Sequence, residues 1–170
     1  MDGDAGVAAE MTPELGRGLH EVAVGLLLSD RLDVAAAVEL AEALVAAGRV
    51  EPATVAAASL SRGSSRADAE PVLREMLTAN GIPVPKAATD DDAYRAAAVA
   101  FGWWGLPVEE FVTAFHRRLP AADEQEPLDG QVLALLDEHE HLPWVLGPER
   151  DRVERRLRAT VRTAFPVPGG

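Results

Sequence analysis

Apolar residues recur at steps of three and four along most of this sequence, which is the spacing that gives a helix one buried face. One such stripe lies between Asp33 and Gly48: Val34, Ala37, Val38, Ala41, Leu44 and Val45. Alanine dominates the 48% of residues that are hydrophobic, and aromatic residues supply only 5%, which favours closely packed helices over a β-sandwich. The sequence therefore predicts an all-α fold: a single compact domain of about seven or eight short helices.

Capping residues and prolines predict where the helices begin. They suit a helix N-terminus because the first backbone N–H groups have no partner within the helix. We expect seven such starts: Thr12-Pro13, Asp33, Glu51-Pro52, near Asp68, Thr89, Leu106-Pro107 and Glu126-Pro127. An eighth helix should form around the apolar stripe of Val153, Leu157, Val161 and Phe165.

A connector with two prolines divides the chain. Each residue before a proline is kept away from helical geometry, so Ile82-Pro83-Val84-Pro85 should be extended. We expect a first helical unit over 12–82 and a second over 89–165, packed on the first. Residues 1–11 are small and acidic with no apolar period, and we expect them to form a disordered tail.

Landmarks of the first half return in the second half. Glu51-Pro52 has a counterpart 75 positions later in Glu126-Pro127, and Leu32 has one 74 positions later in Leu106. These offsets raise the hypothesis of a duplicated four-helix unit, in which helices one to four would superpose on helices five to eight.

The charge and the cysteine content restrict the function classes. The formal net charge is −12, so the negative charge of the protein would repel the phosphates of DNA or RNA. The absence of cysteine excludes disulfides, thiolate catalysis and cysteine-ligated zinc. The acidic N-terminus lacks the positive charge of a secretory signal, and the apolar run 19–28 is too short to span a bilayer. We expect a cytoplasmic protein that binds neither nucleic acid nor membrane.

Three stretches carry a resemblance to a known group of proteins: Asp68-Ala69-Glu70-Pro71-Val72-Leu73, Gly81-Ile82-Pro83-Val84-Pro85 and Pro107-Val108-Glu109-Glu110. Over about residues 40–140 the chain resembles small, Ala/Arg-rich, all-helical proteins of actinobacterial type. That group carries no assigned activity. The resemblance implies a helical fold and transfers no functional residue.

No pattern in the sequence predicts an active site or a bound cofactor, because there is no Gly-x-Ser-x-Gly elbow and no glycine-rich phosphate loop. The strongest metal-ligand candidates are Asp137 and His141, which share one face of a helix, while His139 points away. With His116 or His20 as a third ligand, this pair would form the site of a metal-dependent enzyme. Without one it is a solvated helix end, the interpretation that we favour.

All the aromatic residues occur in the second half, where they can form a core or a binding surface. Trp103 and Trp104 project about 100° apart on a helix, so burying both is difficult. Because tryptophan is enriched at binding hot spots, we interpret the protein as a non-enzymatic interaction or regulatory module. Its predicted binding patch contains Trp103, Trp104 and Trp144.

Acidic residues are concentrated in 121–140, which holds seven acids and no basic residue. Such a surface, around Asp123, Glu124 and Glu126, is typical of an immunity protein or antitoxin that neutralises a basic toxin. A self-associating structural protein is a further alternative. The six arginines in 149–162 either pair with acids or form a local face that binds an anion.

Overall fold

The computed structural model of the protein describes residues 11–28, 31–121, 123–143 and 146–167. Over these ranges it contains eight helices and no strand: α1 (Pro13–Leu27), α2 (Val34–Ala46), α3 (Pro52–Ala58), α4 (Arg66–Ala79), α5 (Asp90–Trp104), α6 (Val108–Arg118), α7 (Pro127–His141) and α8 (Gly147–Ala164). The predicted all-α class is confirmed. The tail expected over 1–11 lies outside the described residues, except for Met11. Within the described ranges, no helix has the length and apolar character needed to cross a membrane.

Three of the expected helix starts carry the side-chain cap that the sequence predicts. Thr12 and Asp33 each accept a hydrogen bond from a backbone N–H three residues further on, at 3.3 and 3.0 Å. Thr89 and Asp92 form a reciprocal pair, in which each side chain accepts from the backbone N–H of the other. Each cap satisfies N–H groups that would otherwise lack a partner.

The start of α4 lies slightly before the predicted position. Ser65 is the N-cap, because its hydroxyl accepts from the Asp68 N–H at 3.2 Å and donates to the Asp68 carboxylate at 2.7 Å. Asp68 therefore lies in the first turn of α4, where its charge faces the positive end of the helix dipole.

Contacts divide the chain into two units at the Val84–Pro85 bond. In the first unit, α2 packs on α3, α3 packs on α4, and α1 packs on both α2 and α4. Its core is aliphatic and rich in alanine, and its buried residues include Leu19, Ala23, Ala37, Ala41, Leu44, Ala57, Leu73, Met76 and Leu77. Gly25 is needed for close approach, since a Cβ there would lie 3.0 Å from the Leu32 Cα.

In the second unit, α5 packs on α6 and α8, and α7 packs on α8. Aromatic rings fill its core: Phe101 and Phe111 stack with 4.6 Å between ring centroids, and Tyr94 lies 5.7 Å from Phe115. These four side chains are at most 2% exposed. The core of the second unit is thus built from large flat rings, whereas that of the first is built from small and aliphatic side chains.

The two units share part of their packing pattern. The pairs α1 with α2, α1 with α4 and α3 with α4 correspond in order to α5 with α6, α5 with α8 and α7 with α8. They differ at the third helix, because α3 has 7 residues and α7 has 15. Duplication of a four-helix unit stays a prediction.

Candidate functional site

The two adjacent tryptophans lie at the C-terminal end of α5. The helix ends at Trp104 because Gly105 adopts the left-handed conformation, with φ at 77°, and the Leu106 N–H bonds back to the Ala100 carbonyl at 3.1 Å. Trp103 and Trp104 project in different directions around the helix, and each is only partly buried. The end of α5 therefore presents indole surface to solvent beside a tight turn.

The Trp103 side chain is held in place by the segment that follows α8. Its Nε1 donates a hydrogen bond to the Phe165 carbonyl at 2.9 Å. The Arg162 guanidinium lies 5.5 Å from the centre of the Trp103 ring, within cation–π range. The Phe165 ring in turn meets the Tyr94 ring edge-on at 5.6 Å between centroids. These contacts fix the orientation of one of the two indoles.

Two arginines of α8 satisfy carbonyl groups at the C-terminal end of α5 and in the turn that follows it. Arg158 donates to the Phe101 carbonyl and, at 3.1 Å, to the Leu106 carbonyl. Arg162 donates to the Gly102 carbonyl at 2.5 Å. The last carbonyls of a helix lack intrahelical donors and carry the negative end of its dipole. A guanidinium there stabilises the helix end in two ways, because it donates the missing hydrogen bonds and its positive charge is attracted to the dipole. The carbonyl groups around the end of α5, next to the tryptophan pair, therefore have hydrogen-bond partners from α8.

Two further arginines of α8 are also engaged within the second unit. Arg150 donates to the Leu142 carbonyl at 3.1 Å, and Arg156 bonds the Glu138 carboxylate at 3.0 Å. With Arg158 and Arg162, four of the six arginines have internal partners. The six arginines of 149–162 therefore do not form one face of unpaired side chains that could bind an anion.

A charged cluster in the second unit was not predicted from the sequence. Asp129 is 1% exposed and accepts a hydrogen bond from Arg118, which also contacts Asp91 at 3.4 Å. Burial disfavours the charge on Arg118, but its hydrogen bond to Asp129 and their mutual attraction outweigh this and raise the pKa of Arg118. The cluster ties α5, α6 and α7 together. No local pattern signals it, because its members are brought together only by tertiary packing.

Tyr94 lies against this cluster, with its ring centre 5.0 Å from the Arg118 guanidinium. Burial raises the pKa of Tyr94 to about 12. Its phenol is therefore protonated at neutral pH and cannot act as a general base there. We assign the cluster a structural role.

The predicted acidic patch lies at the N-terminal end of α7. Asp123 and Glu124 are exposed in the turn before the helix, and Glu126 is its exposed N-cap residue. The Glu126 N–H donates to the Asp129 carboxylate at 3.0 Å. None of the three patch carboxylates forms an ion pair with another described residue. Trp144, the third tryptophan of the predicted patch, lies outside the described residues.

The histidines and acids considered as metal ligands are only partly brought together. His141 Nδ1 lies 3.2 Å from the Asp137 carboxylate on an exposed face, whereas His139 on the same helix is buried. Hydrogen bonding to the Asp137 carbonyl and the Asp137 charge raise the pKa of His141. His116 does not join them: nowhere in the described part of the chain do three or more such side chains cluster closely enough to hold a metal ion.

Comparison of the sequence with protein-family models and curated proteins gave no match, and comparison with solved structures gave none either.

Proposed function

We propose that this chain is a helical protein-interaction module that acts by binding rather than by catalysis, with Trp103 and Trp104 at the centre of its contact patch. The partial exposure of both indoles at one helix end supports this most. Keeping large aromatic surface in water is unfavourable, and tryptophan often provides a large share of the binding energy at interfaces. A partner that covers the pair would remove that surface from water.

The hydrogen bonds that order the Trp103 side chain and the end of α5 favour tight binding. Arg158 and Arg162 satisfy the carbonyls there, and Trp103 is bonded to the chain after α8. An anchor whose side chain is already ordered loses little conformational entropy when a partner binds. Trp103 is therefore preorganised in the free protein.

The partner in this proposal is another protein, met in the cytoplasm. The formal net charge of −12 favours a partner with a basic surface and disfavours nucleic acid. Electrostatic attraction of this kind mainly speeds association, while the indoles would slow dissociation.

A second candidate is an immunity protein or antitoxin that neutralises a basic toxin through Asp123, Glu124 and Glu126. Their exposure together at one end of α7, with no ion pair to another described residue, supports this alternative. Carboxylates that are not neutralised internally remain available to a basic partner.

Affinity capture from the native cell tests the two surfaces against each other. The tagged proteins are wild type, Trp104→Ala, the triple variant Asp123→Asn/Glu124→Gln/Glu126→Gln, and the control Val55→Ala. Val55 is an exposed apolar residue of α3 in the first unit. We expect one protein to be captured by wild type and by the control, and its yield to fall at least about tenfold with Trp104→Ala.

Loss of that protein only with the triple variant, together with a basic composition of the captured protein, would assign the function to the acidic patch. Equal capture by all four proteins would contradict both proposals, the tryptophan patch and the acidic patch as binding sites. Circular dichroism of each variant identifies any loss that arises from unfolding, and Trp104→Phe, which keeps an aromatic ring, should recover part of the yield.

A further inference from the structure

The linker between α4 and α5 carries the one lysine of this sequence. We define the linker as residues 85–89, which follow the division between the two units, lie outside the helices and are all exposed. Its lysine, Lys86, stands beside fifteen arginines in the 170 residues. Neither Lys86 nor Ala87 forms a hydrogen bond or an ion pair with another described residue. The Lys86–Ala87 bond and the basic side chain before it are therefore both accessible to another molecule.

Specific contacts fix the chain on each side of this bond. Val84 is buried in the core of the first unit, and its carbonyl accepts a hydrogen bond from the Arg74 guanidinium at 3.2 Å. Thr89 begins α5 through its reciprocal hydrogen bonds with Asp92. The Lys86–Ala87 bond lies between these two fixed points. A protease can therefore reach it without unfolding a helix of either unit.

The arginines are less accessible to a protease than Lys86. Most of them lie within helices. Proteases bind their substrates as extended chain, so a bond within a helix must first be exposed by local unfolding. The arginines between helices are Arg31, Arg49 and Arg62. These three are the residues that compete with Lys86 for cleavage of the folded protein.

Each of the three arginines between helices is fixed by contacts within the first unit. The Arg31 carbonyl oxygen packs against α1, only 3.1 Å from where a Cβ on Gly25 would lie. The Arg49 N–H donates to a carbonyl in the last turn of α2 at 2.9 Å. The Arg62 guanidinium pairs with a carboxylate of α2 at 2.7 Å. Lys86 has no such contact with another described residue, so we expect the bond after it to be cut first.

We propose that the Lys86–Ala87 bond is a processing site, cut by a protease whose acidic specificity pocket binds a basic side chain. Hydrolysis adds one water molecule across the bond, so Lys86 gains a carboxylate and Ala87 gains an amino group. Each product keeps a buried core of its own, and both should stay folded. The site does not depend on the function proposed above, whose candidate patches all lie after this bond.

Brief digestion of the native full-length protein with trypsin tests which bond is accessible. Trypsin accepts lysine and arginine, so all sixteen basic residues compete. We expect the first products, identified by intact mass, to be 1–86 and 87–170, with the helical circular dichroism signal retained. Lys86→Gln should slow the loss of intact chain by at least about tenfold, because the remaining sites require local unfolding. The matched control Arg62→Gln, in the exposed loop between α3 and α4, should leave the rate unchanged.

A first cut after an arginine, equal rates for wild type and Lys86→Gln, or loss of the helical signal on cleavage would overturn the proposal. Use of the site is tested in the native cell with a chain that carries a different tag at each end. Mass spectrometry should identify a fragment that begins at Ala87 in wild type and in Lys86→Arg, which keeps a basic side chain, and none in Lys86→Gln. Recovery of wild type only as intact chain, from both growing and stationary cells, would also overturn the proposal.

Discussion

The two units of this chain have similar helical packing but different side chains in their cores. The first unit contains no aromatic residue, and its helices pack through alanine, leucine and a glycine that lies against backbone. The second unit packs Tyr94, Phe101, Phe111 and Phe115 between helices and adds arginines that bond to carbonyls and to Asp129. Small side chains require close backbone approach, whereas rings fill wider gaps and need fixed orientations. The first unit should therefore be sensitive to added atoms and the second to removed ones.

The largest effect is expected from truncating the aromatic core. Phe111→Ala should lower the free energy of unfolding by about 3–5 kcal/mol, since it removes a fully buried ring that stacks on Phe101 and leaves a cavity. Chemical denaturation followed by circular dichroism measures the change. Thr113→Ala, on the exposed face of the same helix, is the control and should stay within about 0.5 kcal/mol of wild type. Equal effects of the two substitutions would contradict the ring-filled core.

Breaking the charged cluster should have the next largest effect. Asp129→Asn leaves the Arg118 guanidinium without its buried counter-charge. Removing one partner of a fully buried pair costs about 3–5 kcal/mol, but Arg118 is 21% exposed and retains Asp91, so we expect about 2 kcal/mol. Asp91→Asn, at a site 45% exposed, should cost less than about 1 kcal/mol. If Asp129→Asn costs no more than Asp91→Asn, the cluster does not stabilise the second unit.

Added atoms should harm the first unit and spare the second. Gly25→Ala should destabilise the protein by about 1–3 kcal/mol, because its Cβ would meet the Leu32 Cα at 3.0 Å and the Arg31 carbonyl oxygen at 3.1 Å. Gly130→Ala, also within a helix, has no atom within 4 Å of the new Cβ. It should stabilise the protein by about 0.5–1 kcal/mol through helix propensity alone. Thermal unfolding of both variants measures whether their stabilities change in opposite directions. Stabilisation by Gly25→Ala would contradict close packing of α1 against the chain at Arg31 and Leu32.

The smallest effect on stability at neutral pH is expected at Tyr94. Its buried hydroxyl has no hydrogen-bond partner among the described residues, so Tyr94→Phe should change the free energy of unfolding by less than about 1 kcal/mol. Tyr94 is the chain's one tyrosine, so ultraviolet absorbance follows its ionisation directly. The pKa should be about 12 in the folded protein and near 10.0 in denaturant.

The pH dependence of stability follows from this difference in the pKa of Tyr94. Between pH 10 and 12 the unfolded chain releases the phenol proton while the folded chain retains it. Stability should therefore fall as pH rises through this window, and Tyr94→Phe should remove that component of the fall. A folded-state pKa near 10 would show that the ring is not buried as described.

Local features of the structure were predictable from the sequence, and long-range ones were not. The caps at Thr12, Asp33 and Thr89 were found because each acts within three residues along the chain. The difficulty of burying both Trp103 and Trp104 followed from helix geometry alone.

The missed features depend on packing between distant segments. The Arg158 bond to the Leu106 carbonyl and the Trp103 bond to the Phe165 carbonyl span 52 and 62 residues. Asp129 was counted with the surface acids, and only its packing near α5 and α6 makes it a buried partner of Arg118.

Hydrogen exchange measured by mass spectrometry tests the tryptophan patch most directly. It compares the free protein with the complex formed with the protein that wild type captures and Trp104→Ala does not. We predict slower exchange in the complex for residues 100–107, which contain the end of α5 and its turn, and unchanged exchange for α2 and α3 in the first unit. Unchanged exchange over 100–107, with protection elsewhere, would contradict the placement of the binding site at Trp103 and Trp104.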